Sequence, residues 1–225
     1  MSKVDIIPAI LPMDFGELED HIELIKGLVK VVQVDVCDGQ FTGSASWPYR
    51  KHDDSFEKIS KEELGLPGWE SLNYEFDLMA NKPEEIVDEW VSSGAMRVIV
   101  HAEAKGDIAA ALLKLDGKVE VGLAMNIETS LDILELHQNR IQFVQCMGID
   151  NVGFQGQAFD ERAVAKVREI RSKFPDMTIS VDGGVSFETA PKLIEAGVNR
   201  LVIGSAIFES DNYAEAIARF KKLGV

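Results

Sequence analysis

The chain has 225 residues, 38 of them acidic and 23 basic, for a formal charge of −15 at neutral pH. That balance excludes nonspecific binding to nucleic acid or an anionic membrane, which needs a basic face, so an anionic ligand must be drawn in by a local field. With 46% hydrophobic and 27% charged residues, the chain is ordinary globular material, large enough to bury a core without staples. Cys37 and Cys146 are too few for a disulfide framework and read as packing residues. No apolar run approaches membrane-spanning length and no N-terminal apolar segment follows a basic stretch, so the expected location is the cytoplasm.

A first strand is expected at Val4–Ile10 and then an amphipathic helix at Asp14–Leu28, with Leu18, Ile22, Ile25 and Leu28 on one face. Strands follow at Val31–Val36, Asn73–Leu78, Arg97–His101, Val119–Ala124, Ile141–Met147, Thr178–Val181 and Arg200–Ile203. Between them fall helices at Lys82–Ser93, opened by Pro83, and at Ile108–Leu115, Ser130–His137, Asp160–Phe174, Phe187–Ala196 and Tyr213–Leu223. Gly94 and Gly197 sit where helices should stop. The strands are almost continuously apolar, as strands covered on both faces are. Strict alternation implies a parallel sheet, and eight units favour one closed (β/α)8 TIM barrel over residues 1–225, with an open doubly wound sheet as the alternative. One connection breaks the rhythm. Residues 40–72 carry Trp47, Pro48, Tyr49, the basic run Arg50, Lys51 and His52, a short helix near Phe56–Leu64, and Pro67-Gly68-Trp69. This segment reads as a lid over an anionic ligand or as a structural flap or subunit contact.

Two glycine corners stand out. Ser180-Val181-Asp182-Gly183-Gly184-Val185 and Leu201-Val202-Ile203-Gly204-Ser205-Ala206 each read as a strand running into glycine and then a helix, expected near Ser186 and Ser210. Backbone N–H groups can approach an anion closely there, and a helix end adds partial positive charge, so the pair reads as a phosphate cradle. Asp35, Asp77 and Asp182 lie in apolar strand settings at the expected mouth, where an unpaired carboxylate is expensive. Asp35 shares its facing with Gln33 and Cys37 by the two-residue period of a strand. Three converging carboxylates repel, and need a cation, a shared proton or basic partners; a hard ion such as Mg2+ or Mn2+ suits an all-oxygen set. His101 reads as a supporting residue rather than a ligand, and His21 and His137 as solvated helix residues.

The chain resembles the ribulose-phosphate 3-epimerase family over nearly its whole length. The matching pieces include Pro8-Ala9-Ile10-Leu11, Val34-Asp35-Val36-Cys37-Asp38-Gly39, Asp77-Leu78-Met79, His101-Ala102-Glu103, Gly153-Phe154-Gln155-Gly156-Gln157, Val181-Asp182-Gly183-Gly184 and Gly204-Ser205-Ala206. The resemblance implies a ribulose-phosphate-binding barrel that inverts C3 of a ketopentose phosphate, D-ribulose 5-phosphate to D-xylulose 5-phosphate, through an enediolate. It implies Asp35 and Asp182 as the acid–base pair, and Gly156, Gly184, Gly204 and Ser205, joined by Gly153 and Gly183, around the phosphate. It further implies a divalent metal, but the family's two histidine ligands are here Gln33 and Asp77. A set of Asp35, Asp77, Asp182 and Gln33 favours Mg2+ or Mn2+ over Zn2+ or Fe2+, or no metal at all. Ala9 stands where the family has serine, Cys37 where it has methionine, and the loop holding Asn151 and Gln155 is one residue longer. These departures keep open a related isomerase, lyase or aldolase, or a non-catalytic sugar-phosphate-binding barrel. Relatives of this kind form homo-oligomers, for which Trp47, Trp69 and Trp90 are candidate surfaces.

Overall fold

The computed structural model describes residues 4–224 except 52, 151 and 155, so His52, Asn151 and Gln155 lie outside the described residues. Eight parallel strands, β1 (Asp5–Ile10), β2 (Val31–Cys37), β3 (Asn73–Met79), β4 (Arg97–His101), β5 (Glu120–Met125), β6 (Phe143–Met147), β7 (Thr178–Asp182) and β8 (Arg200–Ile203), pair in sequence order. The barrel closes where Asp5 of β1 stands beside Arg200 of β8. The open-sheet alternative is thereby excluded.

Nine helices surround the strands among the described residues: α1 (Phe15–Ile25), α2 (Ser55–Ser60), α3 (Pro83–Ser92), α4 (Ile108–Leu115), α5 (Asp132–His137), α6 (Arg162–Lys173), α7 (Ala190–Ala196), α8 (Ser205–Phe208) and α9 (Tyr213–Leu223). Local chemistry sets their ends. Asp14 accepts from the Glu17 N–H (3.1 Å) while the Glu17 carboxylate accepts from the Met13 N–H (2.7 Å), which fixes the start of α1. Gly197, at φ +104°, stops α7 in a left-handed turn. Outward-facing strand residues such as Val32, Val34, Val36, Tyr74, Phe76 and Leu78 meet the helices in the main core. The alternate residues face the barrel axis.

The sequence reading needs correction at four places. The segment 40–72 is the β2–β3 crossover with its barrel helix reduced to α2. Trp47 does not mark a surface: it is buried against Phe15, Phe56 and Trp90, with ring centroids 5.7, 5.7 and 6.2 Å away, and its Nε1 donates to Ser55 Oγ (2.8 Å). Trp90 is buried with it, and of the three tryptophans only Trp69 is exposed. The helix expected near Ser186 begins at Ala190, because the hydroxyls of Ser186 and Thr189 bond the intervening backbone into a turn. The helix expected near Ser210 is preceded by α8, which starts directly after Gly204. Finally, His137 is buried, and His21 is half-buried, bonded to the Glu17 carbonyl (2.8 Å) and edge-on to Phe208.

Candidate active site

The upper ends of the strands line a cavity. Asp35 and Asp182 both line it, and so do all six glycine-corner residues, Gly153, Gly156, Gly183, Gly184, Gly204 and Ser205. The backbone there is shaped for close approach. A Cβ on Gly184 (φ +65°) would lie 2.6 Å from Phe159 Cα, and one on Gly183 (φ +98°) 2.8 Å from Ile149 Cγ1. Gly148 lets the tops of β6 and β7 touch: its N–H donates to the Asp182 carbonyl (2.6 Å), and any Cβ would strike the Gly183 carbonyl. The short helix α8 begins at this rim with Ser205, directly after Gly204.

Beneath the rim, the predicted carboxylates converge. Asp35, Asp77 and Asp182 each offer an oxygen within 4.8 Å of the others, all three buried. The Gln33 amide nitrogen donates to Asp35 Oδ1 (2.7 Å) and to Asp182 Oδ2 (2.8 Å). Asp77 is bonded to His101 Nε2 (3.0 Å) and accepts from Gln145 Nε2 (3.1 Å), which also reaches Asp182 Oδ2 (3.5 Å). Histidine, aspartate, amide, aspartate, amide and aspartate thus alternate across the mouth. His101 has a second carboxylate, Glu103, 3.9 Å from its Nδ1, and Phe41 lies over its ring at 5.0 Å.

Burial pushes Asp35 well above the usual carboxylate range, and the charges of Asp182 and Asp77 add to the effect. Burial and the Asp77 charge push Asp182 up to about 7. For His101 burial works against the charged form, but the charge and hydrogen bond of Asp77, with Glu103 behind, raise its pKa on balance. The mouth therefore holds two carboxyl groups, Asp35 and Asp182, that keep their protons above the usual carboxylate range, a condition for acid–base chemistry at working pH. Burial pushes the Cys37 and Cys146 thiols up to about 12, which makes both inert, as packing residues are.

The donor set fits a hard divalent cation. Three buried carboxylates face one point, and the Gln33 Oε1 atom, also buried, has no hydrogen-bond partner among the described residues. Lys51 and Arg50 of the crossover do not line the cavity: Lys51 pairs with Asp14 (3.2 Å) and Arg50 Nη1 lies 2.8 Å from Met13 Sδ. What the crossover does bring to the mouth is its first turn, where Ser44 Oγ donates to the Gly153 carbonyl (2.7 Å).

Sequence reasoning missed Gln145, Gly148 and Glu103. A glutamine in the apolar run Phe143–Met147, two residues from each inward-facing neighbour, was the available signal for the first.

Fold and site together define a (β/α)8 barrel with glycine corners and buried carboxylates at its mouth, a sugar-phosphate enzyme by class. Residues 5–208 match the ribulose-phosphate 3 epimerase family model, and the chain belongs to that family. It is 30% identical to the ribulose-phosphate 3-epimerase of Bacillus subtilis (strain 168) over 97% of this chain and 98% of that one. It is 33% identical to the chloroplastic ribulose-5-phosphate-3-epimerase of Arabidopsis thaliana over 98% of this chain and 78% of that one. Among solved structures the barrel is similar to KGPDC from Streptococcus mutans (TM-score 0.71, 15% identity, covering 99% and 97%). It is also similar to a 3-hexulose-6-phosphate synthase (TM-score 0.70, 20% identity, covering 99% and 100%). At those identities the likeness is one of fold. Among the described residues no helix is long and apolar enough to cross a membrane.

Proposed function

We propose that this enzyme interconverts D-ribulose 5-phosphate and D-xylulose 5-phosphate, with Asp35 and Asp182 as the catalytic pair. The observation that carries this reading is that both aspartates line the same cavity as the glycine corners, with their carboxylates bridged by one amide. Inversion at carbon needs two proton-transfer groups, because a single base returns a proton to the face it came from. One aspartate, ionised, takes the C3 proton to give an enediolate; the other, protonated, delivers a proton to the opposite face. The raised pKa values support one charged and one neutral carboxyl near neutral pH, the state this exchange requires. The phosphate rests on the backbone of Gly156, Gly184, Gly204 and Ser205, with Gly153 and Gly183 shaping the corners, and this anchorage fixes C3 between the carboxyls.

Asp35, Asp77 and Asp182 would hold a divalent ion, joined by the Gln33 carbonyl once that amide turns its N–H groups away from Asp35 and Asp182, and the oxygen-only donors favour Mg2+ or Mn2+ over Zn2+ or Fe2+. Bound there it supplies Lewis-acid stabilisation of the developing enediolate charge. We place the enzyme in the cytoplasm, a reading supported by its two unpaired buried thiols.

Incubation with D-ribulose 5-phosphate in deuterated solvent tests the assignment. Deuterium should enter C3 and D-xylulose 5-phosphate should accumulate, with metal content measured before and after chelation. No C3 exchange under any divalent metal, or preferential turnover of another sugar phosphate in a panel, would overturn it.

A further inference from the structure

The residue at the centre of the mouth with no assigned task is Gln145. It lies on β6, its side chain is fully buried, and its register neighbours are Ala124 on β5 and Ser180 on β7. A buried amide in a barrel interior is costly unless all its polar atoms are bonded. Here Gln145 Oε1 has no hydrogen-bond partner among the described residues, and neither has the neighbouring Ser180 Oγ. A leucine or methionine of similar volume would avoid that cost. What Gln145 does make is specific: its single amide nitrogen lies 3.1 Å from Asp77 Oδ2 and 3.5 Å from Asp182 Oδ2. The orientation of the amide is forced, because the opposite one would turn its oxygen toward two carboxylates.

Gln33 does the same between Asp35 and Asp182. Asp182 is therefore held from two sides by amide donors, whereas among the described residues Asp35 has Gln33 alone and Asp77 has His101 as its second donor. Cutting out the amide at 145 would leave each aspartate one donor, so the fold should survive while the spacing of Asp77 and Asp182 is released.

We infer that Gln145 is a positioning residue of this active site: by tying Asp77 to Asp182 it holds a proton-transfer carboxylate in register with the substrate. The rate readout rests on the proposed epimerase reaction; the spectroscopic readout does not.

The test is Gln145→Leu, with Gln145→Met as the second variant. In 13C-labelled protein the carboxyl resonances of Asp77 and Asp182 should both move, and by more than that of Asp35, which Gln145 does not touch and which feels the change through their charges and the shared Gln33. Turnover should fall about 10–100-fold, the range for residues supporting an active-site shell. KM for the sugar phosphate should be unchanged, since its anchor is the glycine rim. Unmoved Asp77 and Asp182 resonances, or a kcat equal to that of the unaltered protein, would overturn the inference. If the unaltered protein shows no C3 exchange, the epimerase reading fails and the resonances alone decide. Should neither variant fold, the side-chain N–H resonances of Gln145 in the unaltered protein decide: positions shifted by charge-assisted bonding support the inference, and positions like those of a solvated glutamine overturn it.

Discussion

The floor and the mouth of this barrel are built on the same strands and treat buried charge in opposite ways. At the floor Glu75, Arg97, Glu120 and Arg200 alternate in sign. Arg97 pairs with Glu75 (3.0 Å) and Glu120 (2.7 Å), and Arg200 pairs with Glu120 (2.7 Å) while lying 4.6 Å over the Phe143 ring. Two acids and two bases compensate each other. At the mouth three acids gather with, among the described residues, only His101 to counter them, and neutral amides fill the gaps. Balanced charge holds the barrel shut; unbalanced charge keeps carboxyl groups ready to trade protons. The site lies where electrostatic balance is withheld.

Four changes would break or sharpen that contrast. The largest effect belongs to the mouth: Asp35→Asn and Asp182→Asn should each reduce C3 exchange about 10²–10⁴-fold. Calorimetric melting should be unchanged or raised, because a repelling charge is gone. At the floor Arg97→Met should do the reverse. It strands Glu75 without its partner and should cost about 3–5 kcal/mol in denaturant unfolding, with kcat per folded molecule intact. Were the mouth variants to melt like the floor variant, the contrast would be wrong. A smaller effect is expected at the rim, where Gly184→Ala forces a Cβ toward Phe159 and should raise KM for the sugar phosphate about tenfold, equivalent to about 1.4 kcal/mol of binding.

The smallest effect is in pH, measured as melting temperature from pH 2 to 9 in chelated protein. Folding raises the pKa of Asp182 to about 7, so its contribution to stability is whole below the ordinary carboxylate range and is lost as pH rises through 7. Glu120 runs the other way. Burial favours its neutral form, but hydrogen bonds from Arg200 and Arg97 hold its pKa below the usual glutamate value. Its contribution is present above that value and lost as the solution is acidified through the lowered pKa. Asp182→Asn should flatten the neutral limb and leave the acidic one.

The barrel was readable because β-branched runs and amphipathic stretches alternate eight times, and strands such as Arg97–His101 begin and end where the pattern says. Asp35, Asp182 and the glycine corners were readable because a carboxylate or a glycine in an apolar strand end has few structural uses. Trp47, in the long connection, and Trp90, on α3, were misread because a tryptophan looks the same in sequence whether it faces solvent or a neighbouring element. Gln145 and the Glu75–Arg97–Glu120–Arg200 chain escaped notice for a different reason. Each depends on partners from other strands, up to 80 positions apart for Arg200 and Glu120, which only the closure of the barrel brings together.

The layer between floor and mouth has a further consequence. Gln33, Ile99, Phe143 and Gln145 are completely buried there and plug the axis from below. A hydrogen lifted from the sugar must then escape through the same doorway that admitted the sugar. How much isotope is washed out per conversion then measures how freely solvent reaches that doorway.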